Sequence, residues 1–182
     1  MNYSQFLYMI PEAALTAVLV ILFVADFCSA KTNERRWFNP LASLLLALTT
    51  IVCCYATTAG EATAFGGMYH ATASITLMKT ILALGTFIVV VMSKAWISKE
   101  ENRIREGEFY MLTVSTLLGM FMMMSAGHFL TFFLGLEMAS VPMATMVAFD
   151  LHRNDSAEAA AKFILTATFS SGVMLFGISF LY

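Results

Sequence analysis

Three ionisable residues of this sequence, Glu137, Lys162 and Lys79, lie inside long apolar runs where water is scarce. A charged side chain at membrane depth costs a few kcal/mol or more, so it needs a partner or a task. Glu137 closes the run Phe129-Leu130-Thr131-Phe132-Phe133-Leu134-Gly135-Leu136-Glu137. It stands nine residues after His128 and twelve before Phe149. As helix, that is about 14 Å from one end and about 18 Å from the other. A glutamate is too short to reach interfacial water over that distance. The group must therefore face protein or a hydrated interior. A carboxylate that changes protonation state with its surroundings can carry a proton, and this is the reading preferred here over a static helix–helix hydrogen bond.

Lys162 follows Glu158 by four residues, the favourable order for an ion pair on one helix face. A simple interfacial pair is one reading. A functional one rests on the line Glu158, Lys162, Thr166 and Ser170, which makes one face of the segment polar across much of a membrane. Lys79, with Thr76 and Thr86 nearby, is the weaker candidate for proton transfer, and outward snorkelling is its alternative. Glu12 and Asp26 mark the two ends of the first apolar run and read as interfacial. His70, His128 and His152 fall in loops or at helix ends and read as solvated or interfacial rather than as relays.

Other chemistries find no support. Cys28, Cys53 and Cys54 have no disulfide, zinc or iron–sulfur spacing and read as small apolar fillers. Gly66-Gly67 is a bare pair without a phosphate-binding frame. The 14 methionines, spread over several segments, suit apolar packing better than a copper site. No basic, aromatic-rich patch suggests nucleic acid. No cofactor or redox centre is expected in this chain.

The elements that must position these groups are transmembrane helices. Hydrophobic residues make up 59% of the 182 and charged residues 12%, too few to cover a soluble surface. Mean hydropathy is +0.78. Six apolar segments, 7–27, 40–58, 72–92, 109–126, 128–149 and 157–181, are each long enough to cross a hydrocarbon core of about 30 Å. The first lacks a basic residue ahead of it and carries Pro11-Glu12 at its start, so it reads as a retained span rather than a signal peptide. Lys31, Arg35, Arg36, Lys94, Lys99, Arg103, Arg105 and Arg153 all fall in alternate connections, whereas 59–71 and the tight turn 125–127 have none. The positive-inside rule then puts both ends of the chain outside. Asn39-Pro40 starts the second span, and Asp155 with Glu158 has capping-box spacing at the sixth. Gly135 with Ala139, and Ser140 with Ala144, are small residues four apart that permit close helix approach. Pro142 leaves the carbonyl of Met138 without its helical donor and predicts a kink.

The segment Phe133-Leu134-Gly135-Leu136-Glu137-Met138-Ala139-Ser140-Val141-Pro142, continuing to Ala148-Phe149, closely resembles the fifth transmembrane helix of the subunit N family of NADH:quinone oxidoreductase. Ser156-Ala157-Glu158-Ala159-Ala160-Ala161-Lys162-Phe163-Ile164-Leu165 and the following Phe169-Ser170-Ser171-Gly172 resemble its sixth, and Ile10-Pro11-Glu12 its first. The resemblance implies an antiporter-like, proton-translocating subunit of respiratory complex I in a bacterial inner membrane. It implies proton exchange at Glu137, with Lys162 in the same polar system and Lys79 as a weaker match. It places quinone, NADH, FMN and iron–sulfur clusters in the wider complex, and other membrane-arm subunits and lipid as partners. It further implies an all-α polytopic bundle, the N-terminal part of a fold of about fourteen helices. Residues 1–182 would be a single membrane domain. Three helices come first, and 109–182 would be the first three helices of an incomplete inverted repeat. The chain is then a fragment, without the seventh- and eighth-helix lysines that include the usual counter-charge of Glu137. The family commonly has an acidic residue where this chain reads His70-Ala71-Thr72. A related multi-subunit sodium/proton antiporter is the alternative assignment, and an assembly subunit with an inert Glu137 a third.

Overall fold

The computed structural model describes residues 6, 8–29, 37–56, 61–97, 105–150 and 153–181. Six long helices account for most of them: α1 (Ile10–Ser29), α2 (Phe38–Ala56), α3 (Ala73–Ile97), α4 (Glu106–Met124), α5 (Phe129–Val147) and α6 (Asn154–Ser179). The shortest has 19 residues, about 28 Å of helix, and all six are long and apolar enough to cross a membrane. The six expected spans are thus present, with ends moved by a few residues. The basic residues Lys31, Arg35, Arg36, Lys99 and Arg103, and also His152, lie outside the described residues.

Proline and glycine explain several boundaries. Pro11 and Pro40 sit in the first turns of α1 and α2, where a missing N–H costs no helical hydrogen bond. Pro142 lies inside α5, which runs through it without a break. The expected capping box at α6 does not form. Arg153 is the N-cap and makes no side-chain cap bond, while Glu158 pairs with Lys162 instead. The Ser156 hydroxyl donates to the carbonyl of Val147 at 2.5 Å, tying the start of α6 to the end of α5.

The connection before α3 is more ordered than an open loop. Strands β1 (Ala62–Ala64) and β2 (Tyr69–Ala71) pair antiparallel, Thr63 opposite His70. A single 3-10 turn at 65–67 joins them, with positive φ at Phe65, Gly66 and Gly67. Two glycines in that region relieve a backbone that side chains resist, leaving Phe65 as the strained member. Tyr69 also bridges to Ala126, so the α4–α5 turn lies along the hairpin edge.

The core follows from apolar stripes at helical spacing. Leu15, Val18 and Leu22 of α1, Ala42 and Leu46 of α2, and Ala83 and Val90 of α3 surround Tyr110, Val114, Leu117 and Phe121 of α4. Helix α4 is the most buried of the six and packs on α1, α3 and α5. Outward faces remain apolar: Phe23, Val24, Leu84, Ile88 and Phe169 are exposed, as lipid-facing residues are. One end of the bundle carries the hairpin. The other carries an aromatic group of Trp96, Phe109 and Phe149, and a polar contact in which Asn39 donates to the Tyr110 hydroxyl at 2.5 Å. Helix α6 packs chiefly on α5 and is otherwise exposed.

Candidate functional site

Lys79 and Glu12 form a buried ion pair at the hairpin end. Glu12 stands in the first turn of α1 and Lys79 in the second turn of α3, 67 positions apart. Their exposures are 3% and 1%, so neither charge is solvated. The pair explains how both are tolerated. A buried ion survives when its partner and its remaining hydrogen bonds are in place. Ser125, the C-cap of α4, donates to Glu12 Oε1 at 3.4 Å, and the Tyr69 hydroxyl donates to Oε2 at 3.0 Å. Lys79 Nζ lies 3.3 Å from the Tyr69 oxygen and faces the rings of Tyr69 and Phe121 at 5.2 and 5.7 Å. Burial above all, and then the Glu12 carboxylate, hold the Tyr69 phenol well above its ordinary pKa.

Two expectations change here. Glu12 is inside protein rather than interfacial, and Lys79 does not snorkel outward. Tyr69 and Ser125 carried no local sequence signal, since the hairpin and the α4–α5 turn bring them in from distant positions. For Glu12 a signal existed. A lysine two turns inside its span, next to a connection (59–71) that carries no basic residue, needs a carboxylate at the same depth, and Glu12 is at that depth.

Glu137 is half-buried on α5. Among the described residues its carboxylate makes no ion pair or hydrogen bond. Its helix is fixed closely to α4. A Cβ placed on Gly119 would lie 2.5 Å from the backbone nitrogen of Ala139, and one on Gly135 would lie 2.6 Å from that of Met123. The small-residue pattern around Gly135 and Ala139 therefore does bring a neighbour close, with Gly119 as its complement on α4.

Lys162 is exposed and pairs with Glu158 at 2.5 Å, an i,i+4 contact as the spacing predicts. Lys162, Thr166 and Ser170 line one open groove of about 450 Å³ on α6. No ion pair joins Lys162 to Glu137 among the described residues. Lys79 belongs to a separate cluster, so the three candidate residues do not form one site in this chain. His128 caps α5, its Nδ1 accepting from the Leu130 backbone N–H at 3.2 Å. The His70 ring packs where Gly127 leaves room, and its backbone N–H donates to the Ser125 carbonyl at 2.8 Å.

A bundle of six membrane-length helices, with ionisable groups within α1, α3 and α5, defines a polytopic membrane protein. Residues 126–182 match the family model for the transmembrane part of NADH:quinone oxidoreductase and Mrp antiporter proteins. Relatives match along the whole chain: NADH-quinone oxidoreductase subunit N of Phocaeicola vulgatus at 48% identity over 182 residues, and that of Neisseria gonorrhoeae at 37% over 184. The chain spans 38% of the length of each of these two relatives. The fold is similar to that of a chain in respiratory complex I from Thermus thermophilus with bound aureothin. The TM-score is 0.71 at 24% identity, covering 93% of this chain and 36% of that one. Along its whole length the chain is thus similar to part of NADH-quinone oxidoreductase subunit N proteins.

Proposed function

We propose that this chain is part of a proton-translocating membrane subunit of NADH:quinone oxidoreductase, with Glu137 as its proton-exchanging carboxylate. The observation that carries the reading is the position of Glu137. It is an ionisable group two turns inside α5, on a helix clamped to α4, with no counter-charge among the described residues. Such a group gains or loses a proton when its surroundings change, and a charge moved nearby is enough to change them. Lys162 belongs to the same polar system in this reading. The hydroxyls of Thr166 and Ser170 continue the polar line along α6, and α6 packs on the helix that carries Glu137. Lys79 contributes through its pair with Glu12.

The redox chemistry of NADH, FMN, iron–sulfur clusters and quinone belongs to other subunits in this proposal. The chain supplies charge movement in the membrane arm, in contact with neighbouring subunits and lipid. Helices α4, α5 and α6 would open an inverted repeat. The setting would be a bacterial inner membrane with both ends of this chain on the outer side, as the basic residues of alternate connections indicate. The sodium/proton antiporter alternative is not favoured, because the relatives matching over the whole chain bear the oxidoreductase name.

The test is Glu137→Gln in the assembled complex, with NADH-driven acidification measured in inverted membrane vesicles. Pumping per assembled complex should fall at least about ten-fold, the scale of a lost proton-transfer group. Normal pumping would sink the assignment.

A further inference from the structure

We infer that Glu12, Lys79, Tyr69 and Ser125 form a charge-neutral clamp that positions the α4–α5 turn, and that Lys79 acts through this clamp rather than as a proton carrier. The inference rests on the proton-site reading of Glu137. Side chains of α3, β2 and the C-cap of α4, each 57 or more residues from Glu12, meet at its one carboxylate. Oε1 takes Lys79 and Ser125, and Oε2 takes the Tyr69 hydroxyl. Three donors leave that carboxylate well satisfied. The Tyr8 carbonyl lies 3.1 Å from the Tyr69 hydroxyl and is the alternative acceptor for its single proton. A backbone carbonyl accepts a hydrogen bond but has no proton to pass on. That arrangement suits holding a position better than conducting a proton outward.

What is held is the turn that starts α5. Ser125 lies four residues before Phe129, the first residue of α5. The same turn is fastened again on its backbone. The His70 N–H donates to the Ser125 carbonyl at 2.8 Å, and the Gly127 N–H donates to the Met68 carbonyl at 2.9 Å. Below the turn, Gly119 and Gly135 bring α4 and α5 within backbone contact. A shift of Ser125 therefore moves α4, and α4 cannot move without carrying the helix that bears Glu137. Breaking one half of the ion pair leaves a bare charge in the interior, which draws in water or displaces the helices. Removing both charges leaves none to solvate.

The experiment compares Glu12→Gln, Lys79→Met and the Glu12→Gln/Lys79→Met double variant in the assembled complex. Assembly is quantified, and NADH-driven proton pumping is expressed per assembled complex. Each single variant should lose pumping or assembly about five-fold or more, and the double variant should recover to within about two-fold of wild type. A charge-preserving Lys79→Arg variant should remain closer to wild type than Lys79→Met. A double variant as impaired as the singles, or one that fails to assemble, overturns the clamp; the first of these results makes Lys79 a carrier. Single variants with normal assembly and pumping also overturn it. Glu137→Gln, run alongside, separates the two readings. Normal pumping there removes the proton site, while the clamp stands or falls on the variants at 12 and 79.

Discussion

Substituting Gly119 by alanine tests whether α4 and α5 are held at backbone contact. The added Cβ would sit 2.5 Å from the Ala139 nitrogen, 2.7 Å from the Met138 carbonyl carbon and 2.9 Å from the Ala139 Cα. Ordinary contact begins at 3.4 Å, and all three neighbours are backbone, so no rotamer change relieves the clash. The helices must part by about 1 Å, which loosens side-chain contacts along their shared face. Overpacking of this kind costs about 1–3 kcal/mol, and rigid neighbours place it at the upper end. A cost of about 2–3 kcal/mol lowers the folded-to-unfolded ratio roughly 30- to 150-fold. The assay is titration of the chain from mild detergent into denaturing detergent, followed by circular dichroism. Gly135→Ala, whose Cβ would meet Met123 backbone at 2.6 Å, should cost a similar amount. The double variant should cost less than the sum, because the helices have already separated. Gly85 is the control, since a Cβ there meets nothing within 4 Å and alanine should gain up to about 1 kcal/mol of helix propensity. A Gly119→Ala variant as stable as Gly85→Ala refutes the close contact and the mechanical link between Ser125 and Glu137.

Two further outcomes follow from the polar groups. Tyr69 is held neutral above its ordinary pKa of 10.0, so its contribution is complete below that pH and is lost as pH rises toward the folded value. Wild-type stability should fall above pH 10 by up to about 1.4 kcal/mol per pH unit more steeply than that of Tyr69→Phe, read from unfolding curves across the alkaline range. Lys162→Ala should change stability by no more than about 0.5 kcal/mol in the same titration, because its pair with Glu158 is exposed at 74% and 66%. A larger loss would mean that Lys162 is held by contacts other than that pair.

The helices were legible because lipid imposes length and apolarity on each span separately, and both are local properties of sequence. The i,i+4 pair of Glu158 and Lys162 was legible for the same reason. The Glu12–Lys79 pair was not read, because it depends on which spans neighbour one another, and hydropathy is silent on that. Glu12 looked interfacial because it lies at the end of its apolar run. It is buried because the hairpin folds over it, and Tyr69 supplies the hydroxyl that an open loop would not. The capping box failed for a local reason. The helix begins at Asn154 with Arg153 as N-cap, so Asp155 lies inside the first turn and cannot serve as the cap, and Glu158 is left to the lysine one turn onward. Gly135 was legible as half of a close contact, while Gly119 could be recognised only once α4 and α5 were seen side by side.

The ion pair also sets an order for making the protein. Glu12 enters the membrane with the first helix, and its lysine is synthesised 67 residues later. At about 5–20 residues per second the carboxylate waits roughly 3–13 s for its counter-charge. Lys79 never faces the same wait, because its partner is already in place when the third helix arrives. A partner already in place lowers the cost of burying that lysine two turns inside α3. Ser125 comes last, 113 positions after Glu12, and closes the cluster once α4 has crossed. Moving the lysine to α1 and the glutamate to α3 would reverse which charge must wait.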